Sequence, residues 1–176
     1  MIAVCELDEG NIQDVNKCDG TFTVDSRLVL QIEKDAIRYT VANITPYQKR
    51  YPLDDIDYTK YLANPTKTIF FAYQDGQLAG QVILRANWNH YAFIEDIVVD
   101  SHHRRSGIGR ALMQAAIAWA KDRQLAGVTL ETQNNNVTAC HFYENCGFKL
   151  GGMDRYLYKG ISKDTQEIAL YWYLLF

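Results

Sequence analysis

Apolar positions recur every second residue in some stretches of this chain and every third or fourth in others, and the change of period separates strands from helices. Residues 21–31 and 36–44 are rich in Val, Ile, Leu, Phe and Tyr and predict strands. Thr45-Pro46 and Tyr51-Pro52 break the pattern. Residues 54–63 open with acids and predict a short helix. Residues 68–73 and 77–86 predict a hairpin turning at Gln74-Asp75-Gly76, and 90–99 a further strand. Residues 107–123 place Ile108, Leu112, Ala115, Ala116 and Trp119 at helical spacing. A strand at 127–132, a helix at 136–146 and closing strands at 148–158 and 167–176 complete the pattern. Strands first, then strand–helix–strand–helix–strand, predict an α+β fold on a mixed sheet. With no repeat, low-complexity segment or linker, the chain reads as one domain over residues 1–176.

Composition narrows the class. At 176 residues and 48% hydrophobic content there is enough chain for a real core. A net charge of −3, with a pI near 5.8, argues against nucleic acid as the main partner. The start of the chain turns acidic too soon for a signal peptide, and no stretch approaches a membrane span. Cys5, Cys18, Cys140 and Cys146 lack a disulfide framework, so reduced thiols in a cytoplasm are expected. Cys140, His141 and Cys146 do not converge on a tetrahedral metal, and no metal is expected. His102 and His103 read as solvated or phosphate-adjacent.

The chemistry starts where the strand at 90–99 meets the helix at 107–123. The turn Arg104-Arg105-Ser106-Gly107-Ile108-Gly109-Arg110 sits at a helix N-terminus, whose unpaired N–H groups and dipole favour a phosphate or pyrophosphate. Gly107 and Gly109 let a ligand approach the backbone, and the arginines add charge-assisted hydrogen bonds. A P-loop would need Lys-Ser/Thr after the glycines, which is missing. A dinucleotide fingerprint would need Gly or Ala where Leu112 stands; Glu131 only imitates its ribose-binding acid. The third owner is coenzyme A: Arg104-x-x-Gly107-x-Gly109 resembles the Arg/Gln-x-x-Gly-x-Gly/Ala signature of the GNAT superfamily of N-acetyltransferases. Downstream, Asn136-x-x-Ala139-x-x-x-Tyr143-x-x-x-Gly147-Phe148 resembles that family's second motif. Asn136, Ala139 and Tyr143 form one helical stripe, and Gly147 suits the end of that helix. Read without the resemblance, Asn136 is an N-cap and Tyr143 a core aromatic.

The resemblance implies the GNAT fold, with a central sheet of six to seven strands flanked by about four helices and splayed at the acetyl-CoA site. It implies acetyl-CoA as cosubstrate and direct acetyl transfer to a primary amine. Such an amine is only about 0.1% neutral at pH 7.4, a penalty of roughly 4 kcal/mol that a carboxylate can offset by taking the proton. Glu95 and Asp96 lie mid-strand before the turn, on opposite faces by alternation unless a bulge intervenes. Glu95 is assigned as base, with Asp96 in reserve or as a contact to a cationic substrate, and Tyr143 as the acid for the departing thiolate. The resemblance also implies that backbone groups of Ile97, Val98 and Val99 pair with the pantetheine arm and that one N–H polarises the thioester carbonyl. Arg105 departs from the family pattern, in which a small residue is frequent.

The stretches 87–96 and 130–136 and the terminal Tyr171-Trp172-Tyr173 look like the streptothricin acetyltransferases within that superfamily, from Tyr47 onward, whereas the first forty residues match poorly. That resemblance implies a polycationic acceptor, acetylated on its β-lysyl amine, and antibiotic resistance. Trp88, Glu95, Asp96, Glu131, Tyr171 and Trp172 are the candidate acceptor contacts, with Asp54, Asp55 and Asp57 adding negative charge. Two other readings stay open. One is a GNAT enzyme acting on an aminoglycoside, a polyamine or a protein amine; the other is a non-catalytic acyl-CoA-binding module. A homodimer is compatible with the sequence.

Overall fold

The computed structural model describes residues 1–176 and contains nine strands and two α-helices. The strands are β1 (Ile2–Glu6), β2 (Phe22–Glu33), β3 (Ala36–Lys49), β4 (Lys67–Gln74), β5 (Gln77–Ala86), β6 (Ala92–Val99), β7 (Gly127–Gln133), β8 (Lys149–Asp154) and β9 (Ala169–Leu175). The helices are α1 (Ile108–Asp122) and α2 (Val137–Asn145), and four short 3-10 turns lie between elements. The α+β class and a mixed sheet of seven strands are as expected, but the helices number two rather than about four. The expected helix at 54–63 is a single 3-10 turn, Tyr58–Tyr61, capped by the Asp57 carboxylate on Thr59 N–H. Its β-branched and aromatic residues and Pro52 leave too few helix formers for a longer run.

Chain packing divides the molecule into two compact units, Met1–Phe22 with Arg50–Val128 and Phe176, and Thr23–Lys49 with Thr129–Leu175. In the first, strands follow the order β1-β4-β5-β6, with antiparallel neighbours. Helix α1 packs on these strands through Ile108, Leu112, Met113, Ala116, Trp119 and Ala120, close to the stripe expected from spacing. Gly80 allows this close packing: a Cβ there would come within 2.9 Å of Ile108 and Leu112 and 2.8 Å of the Val98 carbonyl. Strand β1, absent from the sequence reading, pairs with β4 from Ile2↔Gln74 to Glu6↔Phe70. It is five residues long and exposed throughout, so it carries little amphipathic signal.

In the second unit the strand order is β7-β9-β8, accompanied by the separate two-stranded ribbon β2-β3. Strand β3 runs through Pro46 to Lys49, past the break expected at Thr45-Pro46. A ribbon of two strands is all edge, where a missing N–H costs no ladder bond. Asn134 pins the ribbon: it exchanges backbone bonds of 2.8 and 2.9 Å with Leu28 and Ile168. Its buried side chain donates to Leu28 O and accepts from Ile168 N. The strand expected at 148–158 stops at Asp154, whose carboxylate caps the next turn on the N–H groups of Tyr156 and Leu157.

Candidate active site

In the first unit β6 leads into α1 through a turn braced from outside. Asp100 accepts from the N–H groups of Asp19 (2.8 Å) and His102 (3.0 Å), and Ser101 binds Asp19 through both its N–H and its hydroxyl. Hydrogen bonds from the Thr21 hydroxyl and N–H, then from the Ser101 hydroxyl, hold the Asp19 carboxyl down at about 2. His102 and His103 face Asp100 at 3.2 and 3.5 Å. Arg104, Arg105, Ser106, Gly107 and Arg110 are then exposed, while Ile108 is buried and Gly109 half-buried. Arg104 folds back so that its Nε donates to Val99 O.

Gly107 is the N-cap of α1 at φ +93°, a left-handed conformation open to glycine, and it offers the first turn no side-chain cap. The first-turn amides therefore meet exposed arginines and no protein carboxylate, which is what a pyrophosphate needs. Arg105 also has positive φ, +61°, so the departure at this position places a side chain on left-handed backbone.

Upstream, β6 departs from regular alternation. Asp96 pairs with Ile83 and Ile94 with Leu84, consecutive residues of β5, so Glu95 is the extra residue of a bulge. Simple alternation put Glu95 with Phe93, Ile97 and Val99, and Asp96 with Ile94 and Val98. Instead Phe93, Asp96 and Val98 lie opposite Arg85, Ile83 and Gln81, and Ile94 shares a face with Ile97 and Val99. The bulge gives the two carboxylates different surroundings. Glu95 accepts from Tyr61 OH at 2.6 Å and pairs with Arg85 Nε at 2.9 Å, so both of its oxygens are engaged. Burial, then the bond to Glu95, raises the Tyr61 phenol well above its usual range. Asp96 is half-buried and accepts from Gln81 Nε2 at 2.9 Å. Burial lifts its carboxyl above the usual range, with Asp54 adding to the rise and the Gln81 and Ile97 N–H groups opposing it. Trp88, on the turn before β6, is 88% exposed.

The second unit holds the other candidates. Asn136 is the N-cap of α2, its side-chain oxygen accepting from Ala139 N–H at 3.3 Å. Gly147, at φ +92°, ends the helix with the Phe148 N–H reaching back to Tyr143 O. Tyr143 is 6% exposed and packs against Phe142, Phe148 and Trp172. Thus the helix-cap and core roles of Asn136 and Tyr143 are present, alongside the stripe with half-buried Ala139. Glu131 accepts a hydrogen bond from Tyr158 OH, and burial, against that bond, holds its carboxyl above the usual range. Burial and the carboxylates of Asp154 and Glu131 likewise raise the Tyr171 phenol. Trp172 is completely buried and serves the core, not an acceptor surface.

The sequence reading missed the groups that hold the β6 carboxylates: Asn16, Tyr58, Tyr61, Gln81 and Arg85. Only Gln81 carried a signal, a lone amide within the apolar run 78–84. The others reach β6 across more than thirty residues of chain, except Arg85, which a hairpin register would have placed.

The acetyltransferase (GNAT) family model matches residues 31–148. Streptothricin acetyltransferase A of Bacillus subtilis is 39% identical over 94% of this chain and 95% of its own length. A streptothricin acetyltransferase of Escherichia coli is 38% identical over 82% of this chain and 79% of its own. Among solved structures, a candidate streptothricin acetyltransferase of Bacillus anthracis, in complex with acetyl coenzyme A, superposes with a TM-score of 0.95 at 41% identity over the whole of both chains. With the braced glycine turn at the head of α1 and the second motif on α2, these matches establish that the chain belongs to the acetyltransferase (GNAT) family and is an acyltransferase whose acetyl donor is acetyl-CoA.

Proposed function

We propose that the chain acetylates a primary amine of a polycationic acceptor, the β-lysyl amine of streptothricin, and so protects against that antibiotic. The acceptor reading is supported by full-length similarity to streptothricin acetyltransferases. The chemistry is supported by the bulge at Glu95, which sets a paired carboxylate beside one with raised proton affinity.

A base works best with its pKa close to the working pH, and both oxygens of Glu95 are already engaged by Tyr61 and Arg85. Asp96 therefore fits the base better than Glu95, reversing the order that the sequence suggested. Glu95 is the contact for the acceptor's positive charge. In this reading Asp96 takes the ammonium proton, directly or through a water. The amine lone pair forms the C–N bond, a backbone N–H of Ile97–Val99 stabilises the oxyanion, and the C–S bond breaks. Tyr143 gives its proton to the leaving thiolate and is restored by the second proton lost from the nitrogen as the amide forms. The exposed turn 104–107 and the first turn of α1 hold the pyrophosphate through Arg104, Arg105, Arg110 and the amides of Ile108 and Gly109. Glu131 and Tyr171 supply further acceptor contacts.

Thiol-release turnover with acetyl-CoA and streptothricin, beside an aminoglycoside, a polyamine and a lysine peptide, tests the proposal. Streptothricin should give the highest kcat/KM, with the acetyl group on the β-lysyl moiety. Faster turnover of another amine would remove the antibiotic assignment, and coenzyme A binding without turnover of any amine would favour a binding module.

A further inference from the structure

Gln81 is 1% exposed in the middle of β5, between Gly80 and Val82. A buried primary amide has to be bonded at both ends. Its Oε1 accepts from the Asn16 backbone N–H at 2.8 Å, and its Nε2 donates to Asn16 Oδ1 at 2.8 Å and to Asp96 Oδ2 at 2.9 Å. The backbone N–H of Asn16 can only donate, so the oxygen end of the amide has to face it and the NH2 end has to face Asp96. The Asn16 side chain is oriented in turn, since its Nδ2 donates to Tyr58 OH at 3.1 Å. Asn16 adopts φ +63°, a left-handed conformation that Asn tolerates better than most residues, and its bonds to Gln81 and Tyr58 hold it there.

We infer that Gln81, oriented by Asn16, is a positioning residue for acetyl transfer: it keeps Asp96 Oδ2 a hydrogen-bond acceptor, so that the proton leaving the acceptor ammonium is received on Asp96 Oδ1. The inference rests on the reading of Asp96 as the base. A protonated Oδ2 is a poorer acceptor for the Gln81 NH2 than an ionised one, and its O–H finds no acceptor on that NH2, whereas a proton on Oδ1 leaves the bond intact. Only the N–H bond of the ammonium breaks in this step, and only an O–H bond on Oδ1 forms. Besides this relay, the Ile97 backbone N–H also bonds the Asp96 carboxylate, and two titratable groups, Asp54 and Cys18, lie near it. Asp54 raises its proton affinity, while the Cys18 thiol, pushed up to about 12 chiefly by burial, stays neutral at working pH.

The test uses the full chain and the best acceptor of the amine panel. Gln81→Met removes the donor at similar volume, and the acid limb of the kcat/KM profile should move up by about one pH unit. The KM for acetyl-CoA should not change. Gln81→Glu keeps the acceptor for Asn16 N–H and the shape of the side chain but sets an oxygen against Asp96, so the limb should move further in the same direction. The carboxyl carbon-13 titration of Asp96 should move in step in both variants, whatever their turnover. Should Asp96→Asn be inactive while the Gln81 variants lose rate with limb and titration unmoved, Gln81 is only a core residue and this inference falls alone. Wild-type turnover in Asp96→Asn would overturn the base assignment and this inference with it.

Discussion

Glu95 and Asp96 are consecutive carboxylates with different surroundings, and the bulge between Ile94 and Asp96 is the reason. Glu95 spends its oxygens on Tyr61 and Arg85, while Asp96 has an amide for partner and an acidic neighbour in Asp54. A carboxyl whose proton affinity is raised by folding stabilises the native state below its unfolded pKa and loses that contribution as pH rises through the folded value. Above both values the ionised Asp96 therefore weakens the fold. Asp96→Asn should lower kcat/KM by about 10²–10⁴-fold yet raise Tm at pH 7.5, by roughly 2–4 °C for each kcal/mol recovered. Glu95→Gln should keep kcat within about tenfold and act mainly on the KM for the amine. Steady-state rates and thermal melts on the two variants separate the roles, and the opposite ranking would return the base to Glu95.

At the scale of elements, the joint from β6 to α1 is the proposed pyrophosphate site, and Gly107 is its tightest constraint. A Cβ there would lie 3.6 Å from Ile2, ordinary contact, so the obstacle to substitution is the φ of +93° and not space. Holding alanine in that conformation costs about 1–2 kcal/mol. Gly107→Ala should lower Tm by roughly 2–8 °C and raise the KM for acetyl-CoA at least about fivefold, leaving that for the amine near wild type. Equal rises in both constants would assign the turn to folding alone. The position of this joint was legible because glycine and arginine at a strand–helix boundary have few structural uses. Its bracing by Asp19 was not legible, because the two segments lie more than eighty residues apart.

For the whole molecule, charge is the property that bears on substrate choice. The net charge is −3, with Asp54, Asp55, Asp57, Glu95 and Asp96 in the first unit and Glu131 and Asp154 in the second. A polycation should be captured by this field from a distance, and salt should screen the capture. Raising ionic strength from about 20 to about 500 mM should reduce kcat/KM for streptothricin by about 3–10-fold, and that for a small monoamine by less. Stopped-time thiol assays at matched pH read both, and equal salt dependence would mean that the acidic residues serve folding rather than capture. No helix is long and apolar enough to cross a membrane.

By itself the sequence determined the order of most elements, the glycine turn at the head of α1, the cap and C-terminal glycine of α2 and the family, because each depends on periodicity or on spacing within a dozen residues. Tertiary structure decided the rest. A bulge has no residue signature of its own and arises from pairing with β5, so the faces of Glu95 and Asp96 could not be counted off along the strand. Strand β1 gains its place from β4, and the 3-10 turn at Tyr58–Tyr61 replaces a helix that its residues could not sustain. Complete burial of Trp172 follows from packing against Tyr143 and its neighbours, contacts that no local pattern encodes. The Asn16–Gln81–Asp96 relay joins three segments spread over eighty residues, and only folding makes their hydrogen bonds meet.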